Sequence, residues 1–191
     1  MTKNRLESFS DSVMAIVVTL LAFELKAPKF SVYDNSENLK EVLYLAPQFS
    51  IFVLSFLTIS IMWINHHYIT NKIEVVTYRT VWANSLLLLF ITLIPFATVF
   101  LAHNPYSQVA LVFYSVIMLL SSVSFTFLKH SSVPKNIYTN KREFFRHVGI
   151  YAYTFAIFVA MYMPSLTYFV LLVPPLSYIL PGWELSRNRK S

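Results

Sequence analysis

The longest stretch of this chain without a charged side chain spans residues 80–128 and reads TVWANSLLLLFITLIPFATVFLAHNPYSQVALVFYSVIMLLSSVSFTFL. Its 49 residues far exceed the ~20 that one helix needs to cross a bilayer. A polar break, His103-Asn104-Pro105, falls near the middle, where a loop between two helices is expected. The stretch therefore predicts two membrane-spanning helices joined by a turn.

Two further charge-free stretches flank this one. Val42–Asn71 has 30 residues and His147–Trp183 has 37, and the second is broken at Met163-Pro164-Ser165. An apolar segment near the N-terminus adds one more candidate helix. We therefore predict an all-α membrane protein in which residues 1–191 form a single domain of six transmembrane helices, near 6–26, 39–64, 78–102, 106–128, 144–163 and 165–181.

The overall composition agrees with this class. Hydrophobic residues make up 56% of the chain and charged residues 13%, whereas about a quarter of a soluble domain is charged. Cysteine is absent, which excludes disulfides, thiolate metal sites and cysteine nucleophiles. Lys3 and Arg5 precede the first apolar run as in a signal peptide, but no small-x-small cleavage site follows it. Because the run closes with Glu24, Lys26 and Pro28, we expect a retained helix.

The distribution of Lys and Arg predicts the orientation in the membrane. Six helices place both termini on one side, and 12 of the 15 basic residues fall on that side. The other side has only Lys26, Lys29 and Lys40. Basic residues accumulate on the cytoplasmic side of membrane proteins, so both termini are predicted to be cytoplasmic. The net charge of +6 then reflects topology, and no nucleic-acid partner is needed to explain it.

The first helix carries the chemistry of the chain. Only 12 residues separate Asp11 from Glu24, too few to cross a bilayer, so the crossing helix includes at least one carboxylate. Such a group marks a functional site by default. At about 100° per residue, Asp11 points away from one common face, which holds Ser12, Ile16, Thr19, Leu20 and Phe23. This face could line a path through the membrane, or it could pack against other helices in a bundle, as most apolar stripes do.

The charged groups of the first helix need partners on other helices. Arg5 and Asp11 are turned about 120° from one another and cannot pair within the helix. Candidates at a similar depth are Trp63, Asn65, His66, His67 and Asn84. An indole N–H and an imidazole can both bond a carboxylate, so a hydrogen-bonded network with Asp11 is predicted, and either histidine could join it.

Enzymatic function is not indicated by these groups. Adjacent histidines such as His66 and His67 point about 100° apart on a helix and do not readily share a metal ion. The polar set also lacks an evident nucleophile. We therefore predict no catalytic residues, no metal and no cofactor. A secondary transporter of a small solute or protons stays open, because Pro95 and Pro174-Pro175 could break helices at membrane depth.

The segment Arg5-Leu6-Glu7-Ser8-Phe9-Ser10-Asp11 resembles the Arg-x-x-x-Phe-Ser-Asp signature of the transmembrane-protein-175 family of potassium channels. Similar matches to its prokaryotic members extend along essentially the whole chain, at Ala15-Ile16, Thr19-Leu20-Leu21, Glu24-Leu25-Lys26-Ala27-Pro28, Trp63 with His66-His67, and Asn84-Ser85-Leu86 with Pro95-Phe96.

The resemblance implies a multi-pass cation channel of the prokaryotic inner membrane. Its pore would be lined by the first helix of each subunit and would pass potassium in preference to sodium through hydrophobic constrictions at Ile16, Leu20 and Phe23, with Thr19 as a polar contact. The helix would be anchored by Arg5, Phe9, Ser10 and Asp11, together with Trp63 and His66 or His67. Because this chain holds one six-helix repeat, four copies are expected, so its partners would be potassium ions, the lipid bilayer and itself.

A conventional potassium filter does not fit this sequence. Such a filter is built from the backbone carbonyls of a Thr-Val-Gly-Tyr-Gly loop. The chain has only Gly149 and Gly182, so that loop is absent. If potassium is selected, side chains must select it, and weaker discrimination against sodium is expected.

Overall fold

The computed structural model of the chain describes residues 1–23, 25, 35–133 and 140–187, without the side chains of 35–37, 41, 44, 140–146 and 179–187. Glu24, Lys26, Pro28 and Lys29, on which the predicted end of the first helix and part of the charge asymmetry rest, lie outside the described residues.

Every regular element in the described residues is a helix, so the all-α class is confirmed. The helices are α1 Lys3–Phe23, α2 Asn35–Tyr44, α3 Ala46–Thr70, α4 Tyr78–Thr92, α5 Ile94–His103, α6 Gln108–Ser132, α7 Asn140–Tyr162 and α8 Pro164–Arg187. Four spans among the described residues are long and apolar enough to cross a membrane, namely α1, α3, α4 with α5, and α6. A shorter apolar stretch, His147–Tyr162, lies in α7.

Two of the predicted helices are each divided into two segments. The predicted helix 39–64 is divided at Leu45, and its second part continues to Thr70. The predicted helix 78–102 is divided at Leu93. In both places a proline occupies the first turn of the following segment, Pro47 in α3 and Pro95 in α5. Proline has no N–H for the preceding turn but is compatible with a helix start, which explains both divisions.

The interior is built around α6, which packs against α4, α5 and α7, while α7 also packs against α8. Helices in lipid approach one another closely where their side chains are small. Fully buried alanines occur on four of these helices, at Ala83, Ala97, Ala110, Ala156 and Ala160. At Gly149 of α7, an added Cβ would lie 3.2 Å from the Ser122 hydroxyl of α6, so the backbone of α7 packs directly against the Ser122 side chain there.

A cluster of hydroxyl groups joins three helices in the buried interior. The Ser55 hydroxyl on α3 lies 2.8 Å from the Thr98 hydroxyl on α5 and 3.0 Å from the Tyr114 hydroxyl on α6. All three side chains are buried. Polar groups inside a membrane must be satisfied by other protein groups, and this cluster satisfies them by cross-linking α3, α5 and α6.

Helix α1 lies at the edge of the bundle and packs against α3, α4 and α5. Its buried face consists of Leu6, Ser10, Met14, Val17 and Leu21. These positions follow the 3.6-residue period of a helix that buries one face. The opposite face of α1 is left uncovered by the described residues, and it holds Ser12, Ile16, Thr19, Leu20 and Phe23.

Candidate functional site

The uncovered face of α1 contains the apolar positions that the sequence placed together. Ile16 is 59% exposed and Phe23 is 82% exposed, and Leu20 is exposed as well. By contrast, Val17 and Leu21, which adjoin them in sequence, are 2% and 1% exposed. An apolar face of this kind is expected to contact lipid, another protein chain or a narrow aqueous path.

Two hydroxyl groups on the same side of α1 have their hydrogens directed to the helix backbone. Ser12 Oγ donates to the Ser8 carbonyl at 2.8 Å, and Thr19 Oγ1 donates to the Ile16 carbonyl at 2.8 Å. A hydroxyl has one hydrogen to donate and two lone pairs that accept. With the hydrogen used by the backbone, each side chain can offer only an acceptor oxygen to a neighbour.

The opposite side of α1 is attached to α3 through Asp11. Trp63 donates its indole N–H to Asp11 Oδ1 across 2.9 Å. A hydrogen bond to a charged acceptor is about twice as strong as one between neutral groups. Of the candidates at similar membrane depth, Trp63 is therefore the one that bonds Asp11 within a single chain, and this bond joins the two helices.

Two further contacts extend this link towards the N-terminus of α1. His67 Nδ1 lies 2.8 Å from Glu7 Oε1, and Lys3 Nζ donates to the Asn71 carbonyl at 3.0 Å. Asn71 Nδ2 also lies 3.0 Å from His67 Nε2, so the network assigns the His67 hydrogen to Nδ1. We call the three contacts, Lys3–Asn71, Glu7–His67 and Asp11–Trp63, the α1–α3 ladder.

The spacing of the ladder reflects helix geometry. Its residues are four apart on α1 and four apart on α3 with its C-cap Asn71, and the two series run in opposite directions, so α1 and α3 are antiparallel. Residues four apart lie on one face of a helix. Lys3 and Glu7 were not among the predicted anchoring residues, although their spacing from Asp11 was a signal that could have identified them.

A second, buried link joins α1 to α3 and α4. His66 Nε2 lies 2.8 Å from Asn84 Oδ1, Asn84 Nδ2 donates to Ser10 Oγ at 2.9 Å, and Ser10 Oγ donates to the Leu6 carbonyl at 2.8 Å. The three side chains are at most 1% exposed. We call this the Ser10–Asn84–His66 chain. Both histidines therefore help to hold α1: His66 does so through Asn84 and Ser10, and His67 through Glu7.

Arg5 and Phe9 are not brought into these links by a single chain. Both are exposed on the uncovered side of α1, and Arg5 makes no hydrogen bond or ion pair with any residue in the part of the chain that the structure describes. Among those same residues, no three His, Asp or Glu side chains lie close enough together to hold a metal ion.

Comparisons of this chain with family models, protein sequences and solved structures all match the same family. Residues 5–95 match the family described as "Endosomal/lysosomal potassium channel TMEM175". A potassium channel of Chryseobacterium sp. (strain P1-3) is 27% identical over an alignment of 199 positions, which covers 100% of this chain and 99% of that protein. A potassium channel of Chamaesiphon minutus is 31% identical over 186 residues, covering 88% and 91%.

The fold is also similar to a solved structure. The crystal structure of a lysosomal potassium-selective channel TMEM175 homolog from Chamaesiphon minutus superposes with a TM-score of 0.80 at 30% identity. The match covers 94% of this chain and 97% of that one. The similarity therefore includes the helices that lie outside the segment matched by the family, and it extends over nearly the whole fold.

Proposed function

Because this chain belongs to the TMEM175 family of potassium channels, we propose that it conducts potassium passively across the cell membrane, with α1 lining the pore. The family is one of channels and not of enzymes. The observation that carries the proposal is the division of α1 into a face bonded to the bundle and a face that stays exposed among the described residues. A pore helix needs one face that fixes it to its own subunit and another face that can be directed towards the ions.

The proposed assembly is a homotetramer of six-helix subunits. The chain has one copy of the Arg-x-x-x-Phe-Ser-Asp motif, and closed cyclic symmetry is the simplest way for identical subunits to surround an axis. Residues 1–191 would form one domain, with α7 and α8 as the fifth and sixth crossings. The excess of Lys and Arg on the terminal side supports cytoplasmic termini.

The proposed selectivity comes from apolar side chains. Ile16, Leu20 and Phe23 of four subunits would converge on the axis, with Thr19 contributing an oxygen beside them. A hydrophobic constriction excludes water and forces an ion to lose part of its hydration shell. Potassium holds its water less tightly than sodium, so it would pass more readily, although with weaker discrimination than a carbonyl filter gives.

The proposed role of the polar groups is to fix the rotation of α1. The α1–α3 ladder and the Ser10–Asn84–His66 chain both contact the side of α1 that faces the bundle. If either were lost, the apolar face could turn away from the axis. Arg5 and Phe9 would complete the anchoring network through contacts with a neighbouring subunit, since both are exposed within one chain.

A liposome experiment tests the proposal. Purified protein would be reconstituted with potassium and sodium gradients of opposite direction, and protein-free liposomes would serve as the control. We expect a reversal potential that follows the potassium gradient, and native mass spectrometry in detergent should give a tetramer. A monomer that carries the full ion flux would contradict the proposed assembly, and an absence of potassium flux would contradict the proposed function.

A secondary transporter is the second candidate, and one observation favours it. The span Tyr78–His103 is divided at Leu93, and broken helices are common at the substrate sites of transporters. Such folds usually also contain internal repeats, which the sequence of this chain lacks. The same liposomes discriminate between the two, because a transporter would give saturable flux coupled to a solute or to protons.

A further inference from the structure

On the uncovered face of α1, Ser12 is the nearest polar side chain to Ile16 in the N-terminal direction. It precedes Ile16 by four residues, which corresponds to about 6 Å along the helix and about 40° around it. It is exposed, and its hydroxyl hydrogen is bonded to the Ser8 carbonyl at 2.8 Å. The lone pairs of its oxygen are therefore free to accept a hydrogen bond from a molecule beside α1.

Two other polar groups near this position are bonded to partners on other helices. Ser10 is fully buried and bonded to Asn84. The Asp11 carboxylate accepts from Trp63 and is turned about 140° away from Ile16. Thr19 repeats the geometry of Ser12 on the far side of Ile16, with its hydrogen bonded to the Ile16 carbonyl at 2.8 Å.

We propose that the four Ser12 hydroxyl oxygens form a polar ring on the cytoplasmic side of Ile16, which accepts hydrogen bonds from the water around a potassium ion. The inference rests on the proposed function, because the ring exists only if α1 lines the pore. A water molecule that coordinates a cation through its oxygen has its hydrogens directed outwards, where acceptor oxygens bind them.

The ring has a specific role at an apolar constriction. The barrier at such a constriction arises because an ion must lose water before apolar side chains replace it. An acceptor ring one turn before Ile16 holds the partly hydrated ion at the edge of that barrier. Because Ser12 lies on the cytoplasmic side of Ile16 and Thr19 on the other side, Ser12 assists ions that enter from the cytoplasm more than ions that enter from outside.

Patch-clamp recording of Ser12→Ala tests this role. The matched control is Ser50→Ala, since Ser50 is an exposed serine of α3 with the same 2.8 Å bond to a carbonyl four residues earlier. We expect outward potassium current to fall roughly fivefold in Ser12→Ala, which is the effect of one hydrogen bond of typical net strength on a barrier. Inward current should fall less, and Ser12→Thr should restore outward current.

A labelling experiment tests the same position independently of the Ser12→Ala recordings. The chain has no cysteine, so Ser12→Cys introduces a single thiol. A positively charged thiol reagent applied from the cytoplasm should block current through Ser12→Cys. It should not affect Val17→Cys, because Val17 is buried against the bundle.

The outcomes separate the two proposals. If the unmodified protein conducts potassium while Ser12→Ala behaves like Ser50→Ala and Ser12→Cys is not blocked, the Ser12 ring is wrong and the channel function stands. If Ser12→Ala lowers inward and outward current equally, the sided role is wrong. If the unmodified protein carries no potassium current, both the ring and the proposed function are wrong.

Discussion

Trp63 and Asp11 join the C-terminal third of α3 to the first half of α1 through a hydrogen bond of 2.9 Å between Trp63 Nε1 and Asp11 Oδ1. The carboxylate is turned about 140° from Ile16 around α1. Its bond therefore fixes which face of α1 is directed away from the bundle. Asp11, which the sequence marked as a functional position, therefore acts in this geometry on the orientation of the helix.

Replacing Asp11 should affect assembly more than permeation. Asp11→Asn removes the charge from the acceptor of the Trp63 bond, and a hydrogen bond to a charged group contributes about 1.5–3 kcal/mol. We expect a lower unfolding temperature in detergent and a smaller tetramer fraction by size-exclusion chromatography. Trp63→Phe should have a similar effect. An Asp11→Asn protein that assembles normally but has altered ion selectivity would mean that Asp11 lies in the pore.

Replacing Asn84 should destabilise the fold because it bridges two buried side chains. Asn84→Ala leaves the His66 Nε2 donor without its acceptor, and a buried group without a partner costs about 1–3 kcal/mol. Thermal unfolding in detergent would measure the loss. The control is Ser85→Ala, since the Ser85 hydroxyl donates only to the Val81 carbonyl of its own helix. Equal unfolding temperatures for the two variants would contradict a structural role of the Ser10–Asn84–His66 chain.

Much of α1 could be predicted from the sequence for a simple physical reason. A helix that crosses a bilayer has a fixed period, so the shared face of Ile16 and Phe23 and the opposite direction of Asp11 follow from residue spacing alone. Similar depth left five candidate partners for Asp11, and the structure pairs it with one of them, Trp63. The contact of Glu7 with His67 was missed, because both residues are near the end of a span, where water could also satisfy them.

The divisions at Leu45 and Leu93 could not be read from hydropathy. Apolar residues continue through both positions. The length of the apolar run therefore indicates that the segment can cross a membrane, but it does not indicate whether the helix is divided. Proline was the available signal, but Pro95 is compatible both with a kinked helix and with two separate segments. Whether such a helix kinks or divides depends also on contacts between residues distant in sequence, such as those of α5 with α3 and α6.

The hydroxyl cluster of Ser55, Thr98 and Tyr114 should contribute to stability and not to conduction. Tyr114→Phe removes one hydroxyl from a fully buried site, and hydrogen bonds between membrane helices contribute about 0.6 kcal/mol on average, with larger values near 2. We expect a lower unfolding temperature and an unchanged potassium-to-sodium permeability ratio. Ser115→Ala is the control, because Ser115 bonds only within α6. A changed permeability ratio in Tyr114→Phe would indicate that ions pass through the interior of the subunit.

Replacing Ile16 should have the largest effect on permeation. Four isoleucine side chains that meet on an axis can exclude a continuous column of water, and this creates the barrier to ions. Ile16→Asn would place amides there and hydrate the constriction. We expect conductance to rise roughly tenfold, which needs a decrease of only about 1.4 kcal/mol in the barrier, and the potassium-to-sodium permeability ratio to approach unity.

Val123→Asn is the control for Ile16→Asn, because Val123 is an exposed apolar residue on α6, a helix that the proposal keeps away from the axis. Both variants add the same amide to an uncovered helix face, so a general effect of polarity in the membrane would appear in both. Recordings in one bilayer system would compare their conductance and reversal potential. If Val123→Asn changes permeation as much as Ile16→Asn does, the uncovered face of α1 is not the one that faces the ions.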